Sequence, residues 1–405
     1  MNASLDLSHG PLTGIRILDL TSVVLGPLAT QILGDYGAEV IKVESLEGDL
    51  MRSNGIHLAP GMSSIYLSIN RNKQSLALDL KSEAGKDILC RLIPRVDAVV
   101  HNMRVSAIEK LGFGYEAVRA LHPGIVYCAA TGFDQDGPDK DRPAFDDIIQ
   151  AACGLASVNS LGQARPDYIS TLVADKTTGM ALVNAVLAAL LAKARNGQGQ
   201  YVEVPMLETM VAFTLVEHMG GLTRNPATQA AGYSRVLGGG RQPSPTRDGY
   251  IAMLPYTNAH WESFFKDAGQ EALGQALGVT NRVTRNANIH GLYKALHQIT
   301  ATKTTAEWLA ICDRLDIPAT PIYSMEDLPS HPQLQAVNLF AETEHADVGP
   351  IRYVRPPVKF SQTPASVRHQ ARRLGQDTEA ILTDLGYSPQ EIAALHAQGS
   401  IRNGQ

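Results

Sequence analysis

The sequence predicts an α/β fold: a large domain on a mostly parallel, doubly wound sheet, joined to a smaller α+β domain. Three observations predict it. Residues 14–49, GIRILDLTSVVLGPLATQILGDYGAEVIKVESLEGD, read as a βαβ unit. Strands and helices keep alternating to about residue 130, and composition changes near residue 220.

Residues 15–20 are a mostly apolar run carrying Asp19 near its end, the pattern of a buried parallel strand. Gly26-Pro27 opens the next helix, with Pro27 suited to the first position, where its missing N–H costs nothing. Gly37 ends that helix and 39–44 is the second strand. A dinucleotide enzyme would carry G-x-G-x-x-G at this turn. Its absence removes the backbone approach that cradles a pyrophosphate. Residues 75–80 read as a strand, 82–92 as an amphipathic helix stopped by Pro94, and 97–100 as a short strand. A helical turn at 115–121 and an apolar strand at 125–130 follow. Gly, Pro and charge fill the loop 131–143, and a small-residue helix runs from 146 to about 157.

The strongest helix spans about 176–195, KTTGMALVNAVLAALLAKAR. It is apolar on nearly every face, which places it in the core or in a subunit interface. Asn196-Gly197 ends it, 201–204 is a strand, and 208–217 begins another helix. Residues 225–247 are rich in Gly, Pro, Ser and Arg and lack periodicity. Beyond them lie a strand at 250–254, helices at 259–266, 290–300 and 305–315, and a connection at 324–335. A strand pair is expected around 351–360, and Ser388-Pro-Gln-Glu391 is a capping box that starts a closing helix. These readings divide the chain into 1–220 (large domain), 221–330 (linker and small domain) and 331–405 (a segment returning to the large domain).

With 405 residues, 44% hydrophobic and 19% charged, the chain can bury a large core and is too apolar for disorder. A formal net charge of −5 argues against a nucleic-acid partner. Cys90, Cys128, Cys153 and Cys312 lie far apart without C-x-x-C, which reads as packed thiols in a reducing compartment. The N-terminus lacks a basic start and an apolar core, and no apolar run approaches the ~20 residues that span a bilayer. A cytoplasmic enzyme with no membrane partner is expected.

Three groups of residues carry candidate chemistry. Asp175 lies where an extended segment meets the apolar helix. One reading is an N-cap. The other is a nucleophilic carboxylate able to hold an acyl group as an anhydride, kept ionised by the helix N-terminus. Leu237-Gly-Gly-Gly-Arg241 is either an open nest of N–H donors or a flexible linker. Basic residues scattered over Asn70–Lys73, Asn102–Arg104, Lys110 and Lys140–Arg142 either gather phosphates at the carboxyl edge of the sheet or are solvated surface. Twelve dispersed histidines, with no H-E-x-x-H, predict no metal site.

Ordered motifs then accumulate: P-L-x-G-I-R-I-L-D-L, G-P-x-A-T-Q, G-A-E-V-I-K-V-E and G-D-x-x-R ending at Arg52. N-K-x-S-L-A-L-D-L, L-G-F-G-Y, T-G-F-D-Q-D-G-P, T-G-M after Asp175, G-x-G-Q, D-G-Y-I, K-F-S-x-T-P-A and L-G-Y-S continue them. Together they resemble the class III coenzyme A transferases, the CaiB/BaiF type that includes formyl-CoA:oxalate and L-carnitine CoA-transferases. The resemblance covers nearly the whole chain.

The resemblance implies a Rossmann-like large domain completed by the C-terminal segment, a small domain, and an interlocked homodimer. It implies an enzyme that moves coenzyme A from an acyl-CoA donor to a carboxylic acid acceptor through an aspartyl anhydride and an aspartyl-CoA thioester. Coenzyme A is a substrate, and no tightly bound cofactor is expected. Asp175 falls on the nucleophile, and Gly238, Gly239 and Gly240 fall on a glycine loop that lies over it in that family. Asn102, Met103 and Lys110 fall on contacts to the adenosine-phosphate end of coenzyme A, with Lys73 nearby. Ser22, Val23 and Val24 align with the pantetheine, while Arg52, Arg142 and Phe145 complete the expected binding set. Ser22 and Val24 stand where formyl-CoA transferase carries His and Gln, and Phe145 replaces a tyrosine, so oxalate or formate specificity is not implied.

Two other functions share these features. An acyl-CoA racemase or intramolecular CoA-transferase of the same fold would need a histidine where this chain reads Pro143-Ala-Phe145. A CoA-binding protein without activity would have no use for Asp175. Arg142, Arg235 and Arg241 suggest a second carboxylate on the acid, and surface arginine is the plainer reading.

Overall fold

Six parallel strands carry the larger of two units, and the inner ones are buried on both faces. The computed structural model describes residues 10–160, 165–238 and 240–404. The larger unit takes the chain up to 156, from 168 to 214 and from 337 onward; the smaller takes 215–336 and a short stretch around 157–167.

In chain order the strands are β1 (Arg16–Leu20), β2 (Glu39–Glu44), a small hairpin of β3 (His57–Ala59) and β4 (Met62–Ser63), β5 (Lys73–Leu78), β6 (Ala98–His101), β7 (Val126–Thr131) and β8 (Gln200–Pro205). The main sheet runs β5–β2–β1–β6–β7–β8, and the short strand Ile401–Arg402 pairs antiparallel with β5 at one edge. This is the doubly wound order, and it reverses direction between β1 and β6. Ligands of such sheets bind beyond the strand carboxyl ends at that reversal.

Alternate residues of each strand face opposite cores. Ile17, Val40, Val100, Val126 and Cys128 meet the helices Leu25–Asp35 and Val173–Asn196 on one side. Leu18, Ile41, Leu76, Val99 and Tyr127 meet Glu83–Leu92, Val105–Leu111 and Thr378–Asp384 on the other. The smaller unit has its own aromatic core of Trp261, Phe264, Phe265, Tyr293 and Trp308.

Several boundaries differ from expectation. The first helix begins at Leu25, so Pro27 takes its third position, where the N–H also lacks an intrahelical acceptor. Gly37, at φ +103°, follows that helix as expected. The third parallel strand sits two residues earlier than 75–80, because the Asp79 carboxylate turns back to accept the Lys81 N–H at 2.9 Å. The C-terminal strand pair is the hairpin Phe340–His345 and Gly349–Val354; Pro356 and Pro357 lack the N–H donors a strand over 355–360 would need. The capping box at Ser388 and Glu391 forms completely.

The apolar helix is longer than expected, Val173–Asn196. It is long and apolar enough to cross a membrane by length and composition, contrary to the reading that no run approached that size. Here Ala174, Leu182, Val186 and Ala189 are buried in the larger unit, while Met180 and Leu191 are 61% and 53% exposed. One side of the helix is therefore uncovered, and burial is not all round.

Candidate active site

A hollow of about 300 Å³ opens at the reversal point of the sheet. The turns after β1, β6 and β7 line it through Ser22–Leu25, Asn102–Arg104 and Ala130–Gly132, and Asp175 faces it from the first turn of the long helix.

The floor is built by hydrogen bonds across the reversal. Ser22 N–H donates to Asn102 Oδ1 at 2.9 Å, and Asn102 Nδ2 donates to the Ser22 carbonyl at 2.8 Å. Val23 adopts φ +69°, a costly conformation for a β-branched residue, and its N–H donates to Asp49 Oδ1 at 3.1 Å. Asp49 is itself paired with Lys42 at 2.9 Å, and Lys42 Nζ also holds the Thr21 carbonyl at 2.8 Å. A buried ion pair thus pins the Thr21–Val23 turn from beneath.

Glycines set the spacing of the walls. A side chain at Gly26 would meet the Thr21 Cβ at 2.3 Å, and one at Gly179 would meet the Leu25 carbonyl oxygen at 2.7 Å. The T-G-M motif therefore presses the long helix onto the start of the first helix, which fixes Asp175 opposite Ser22–Leu25. Gly132 does the same for the returning loop, with Ala144 Cβ only 2.4 Å from where its own Cβ would stand.

Asp175 is the third residue of its helix, so it is not the N-cap; Leu172 occupies that position without a side-chain cap. The capping work is done from outside. Asp175 N–H donates to Asp146 Oδ1 at 3.0 Å, while Asp146 Oδ2 accepts from Gln150 Nε2 at 2.6 Å. Gln150 Oε1 in turn accepts the Ile169 N–H at 2.9 Å. The Asp175 carboxylate itself has no hydrogen-bond donor among the described residues and opens into the hollow. Burial and the neighbouring Asp146 charge push its pKa up to about 6, against the expectation that the helix end would favour ionisation. The group still ionises at neutral pH, half-buried and without an ion-pair partner among the described residues.

Lys140, Arg142, Arg104 and Phe145 line the same hollow. Arg142 is exposed and paired with Asp139 at 3.1 Å, and Phe145 is 62% exposed. Val24 lines the hollow and is otherwise buried. A second hollow of about 550 Å³ adjoins it, sharing Ser22, Leu50 and Met103 and adding Ser45–Gly48 and Asp79–Lys81. Sequence reasoning missed these last residues, and it missed Asp146.

Other expected site residues lie elsewhere. Lys73 is fully buried, and its three N–H groups go to Asp19 Oδ2 (3.0 Å), the Pro27 carbonyl (2.8 Å) and Asn70 Oδ1 (2.9 Å). No donor is left for a phosphate. Arg52 is likewise saturated: Glu44 takes its Nε and Nη2 at 2.8 Å each, with further bonds to the carbonyls of Gly61 and Arg372 and to Tyr66 Oη. Both are corrections to the binding set. Lys110 is exposed on Val105–Leu111 and lines neither hollow. Gly238 and Gly240 belong to the smaller unit, and Gly239 lies outside the described residues.

Comparison with known proteins gives concordant matches. The pattern of CoA-transferase family III matches residues 12–378. The succinyl-CoA:glutarate CoA-transferase of Mus musculus is 33% identical over 97% of this chain and 91% of its own length. The succinate–glutarate CoA-transferase of Agrobacterium fabrum is 31% identical over 93% of this chain and 96% of its own. Among solved structures, a CAIB/BAIF family protein from Brucella suis superposes with a TM-score of 0.79 at 27% identity, covering 93% of this chain and 100% of that one.

Proposed function

This chain belongs to CoA-transferase family III and is an enzyme that transfers coenzyme A; we propose that it does so by covalent catalysis at Asp175. The observation that carries the reading is the Asp175 carboxylate, without a hydrogen-bond donor among the described residues and opening into the hollow at the sheet reversal.

The Asp175 carboxylate attacks the donor thioester carbonyl, forming a mixed anhydride and expelling the CoA thiolate. The thiolate then attacks the aspartyl carbonyl, giving an aspartyl-CoA thioester and releasing the donor acid. The incoming carboxylate attacks that thioester, re-forming an anhydride and the thiolate. Thiolate attack on the new acyl carbonyl yields the product thioester and restores Asp175. Thioester energy is conserved, so no nucleoside triphosphate is needed.

The nucleotide end of coenzyme A fits the adjoining hollow through Met103 and Lys81, with Arg104 and Lys140 at the rim to meet its phosphates. The acid we propose is a short dicarboxylate, since the relatives above are named for succinate and glutarate. The uncovered apolar side of Val173–Asn196, with Met180 and Leu191, supports association into a homodimer. The buried, unpaired thiols of Cys128, Cys153 and Cys312 suit a reducing, cytoplasmic setting. No histidine lines the hollow, so the isomerase alternative lacks its imidazole among the described residues.

Asp175→Asn tests the reading. CoA exchange between succinyl-CoA and glutarate should fall on the order of 10³-fold or more, and hydroxylamine trapping of a modified Asp175 peptide should disappear. Exchange at the native rate in this variant would sink the proposal. α-Proton exchange with deuterium in the absence of any acid would favour the isomerase.

A further inference from the structure

Five cations are buried among the described residues: Lys42, Arg52, Arg71, Lys73 and Arg285. Each of the first four has a carboxylate within 3.0 Å, from Asp49, Glu44, Asp35 and Asp19 respectively. Arg285, in the smaller unit, has none. It is only 6% exposed, on the short helix Arg282–Ala287. Its Nη1 donates to Asn258 Oδ1, and Asn258 Nδ2 is anchored on the Thr280 carbonyl at 2.8 Å. The remaining edge of the guanidinium, Nε and Nη2, has no hydrogen-bond partner among the described residues.

A second cation stands beside it. The positive charges of Arg235 and Arg282, together with burial, hold Arg285 below the usual arginine pKa. Arg235 lies over the Tyr256 ring at 5.0 Å, and the hydroxyls of Tyr293 and Tyr233 beside it hold its pKa above the usual arginine value despite burial. No carboxylate is ion-paired with these arginines among the described residues; Glu307 pairs instead with Arg247 and Asp267 with Arg314. A buried guanidinium without a counter-charge is costly, and a like charge beside it adds repulsion. A bound oxyanion removes both costs, and the open Nε–Nη2 edge has the fork geometry that grips a carboxylate with two bonds.

The position selects an organic acid. Gly238 packs so closely on His290 that a Cβ would stand 2.0 Å from its Cε1, and Gly240 sits over Tyr293 with a Cβ 3.2 Å from that side chain. The rings of Tyr256, under Arg235, and of Tyr293, under Gly240, suit a short carbon chain. We propose that Arg285 and Arg235 form a carboxylate site on the smaller unit that binds a short dicarboxylic acid. The identity of the ligand rests on the CoA-transfer reading; the existence of the anion site does not.

Calorimetric titration of the full-length protein with glutarate, butyrate and inorganic phosphate tests it without turnover. Glutarate should bind, and its affinity should fall about tenfold or more in Arg285→Gln and in Arg235→Gln, the size expected for a lost charged hydrogen bond. Butyrate, whose single carboxylate takes the same fork, should lose affinity in the same variants. Equal glutarate affinity in folded Arg235→Gln, the half-exposed position least prone to misfold, would overturn the proposal. So would a loss confined to phosphate and the CoA thioester. Failure of Asp175 chemistry leaves this titration readable, so the two readings fail separately.

Discussion

Asp175 and Asp146 form one device at the scale of single residues. Burial, with the Asp146 charge beside it, lifts the pKa of Asp175, the proposed nucleophile, to about 6. Since the reactive form is the carboxylate, kcat/KM should fall as pH drops through that value. Asp146→Asn keeps an oxygen acceptor for the Asp175 N–H and removes the charge. The acidic limb of the profile should then move to lower pH, and a pH–rate series on both proteins would show it; an unmoved limb would mean that burial alone sets the shift. Asp175 could be singled out from the sequence because it falls in an ordered motif. Lys73 was misread because its carboxylate, Asp19, is brought beside it only across strands, and Arg52 because the turn after β2 folds it back onto Glu44, eight residues earlier. Loop position and charge sign alone cannot distinguish a buried ion pair from a phosphate ligand.

Among the elements, the long helix carries the greatest demand for precise placement. Gly179 lies one turn beyond Asp175, against the Leu25 carbonyl. Gly179→Ala must push the two helices apart, costing about 1–3 kcal/mol by overpacking. Because Asp175 moves with its helix, kcat should drop more than thioester KM rises. Chemical denaturation combined with steady-state kinetics would check both halves; a stable variant with native kcat would show that the contact is slack. Periodicity revealed the helix and Gly197 its end, yet its start was set three residues late. Nothing in Leu172-Val-Ala announces a helix whose cap is supplied by Asp146, 29 residues earlier.

For the whole molecule, Asn72 is the tightest link between distant parts of the larger unit. It sits at φ +60°, where Asn is better tolerated than most residues. Its Nδ2 donates to Asp35 Oδ1 and the Ser366 carbonyl, each at 2.8 Å, and its Oδ1 accepts the N–H groups of Arg368 (2.7 Å) and His369 (3.3 Å). Asn72→Ala strands these partners and should cost roughly 2–4 kcal/mol, at about 1 kcal/mol per bond. Urea unfolding measures this loss, and a change below about 0.5 kcal/mol would mean that the C-terminal segment is held by other contacts. The doubly wound order was legible from alternating strands and helices. The return of the C-terminal segment was legible in the connection at 324–335, but its pairing with β5 was not, because a two-residue strand such as Ile401–Arg402 leaves no periodic trace.

That return has a consequence for how the protein is made. Ala77 on β5 donates its N–H to the hydroxyl of Thr378, 301 positions downstream. At cellular elongation speeds of about 5–20 residues per second, that flank of the sheet waits roughly 15–60 seconds on the ribosome for its cover. Throughout that interval a nascent chain displays an unpaired hydrophobic edge, open to other chains. Translation pauses or slow codons between these positions should therefore lower the soluble yield more than identical pauses placed before β5.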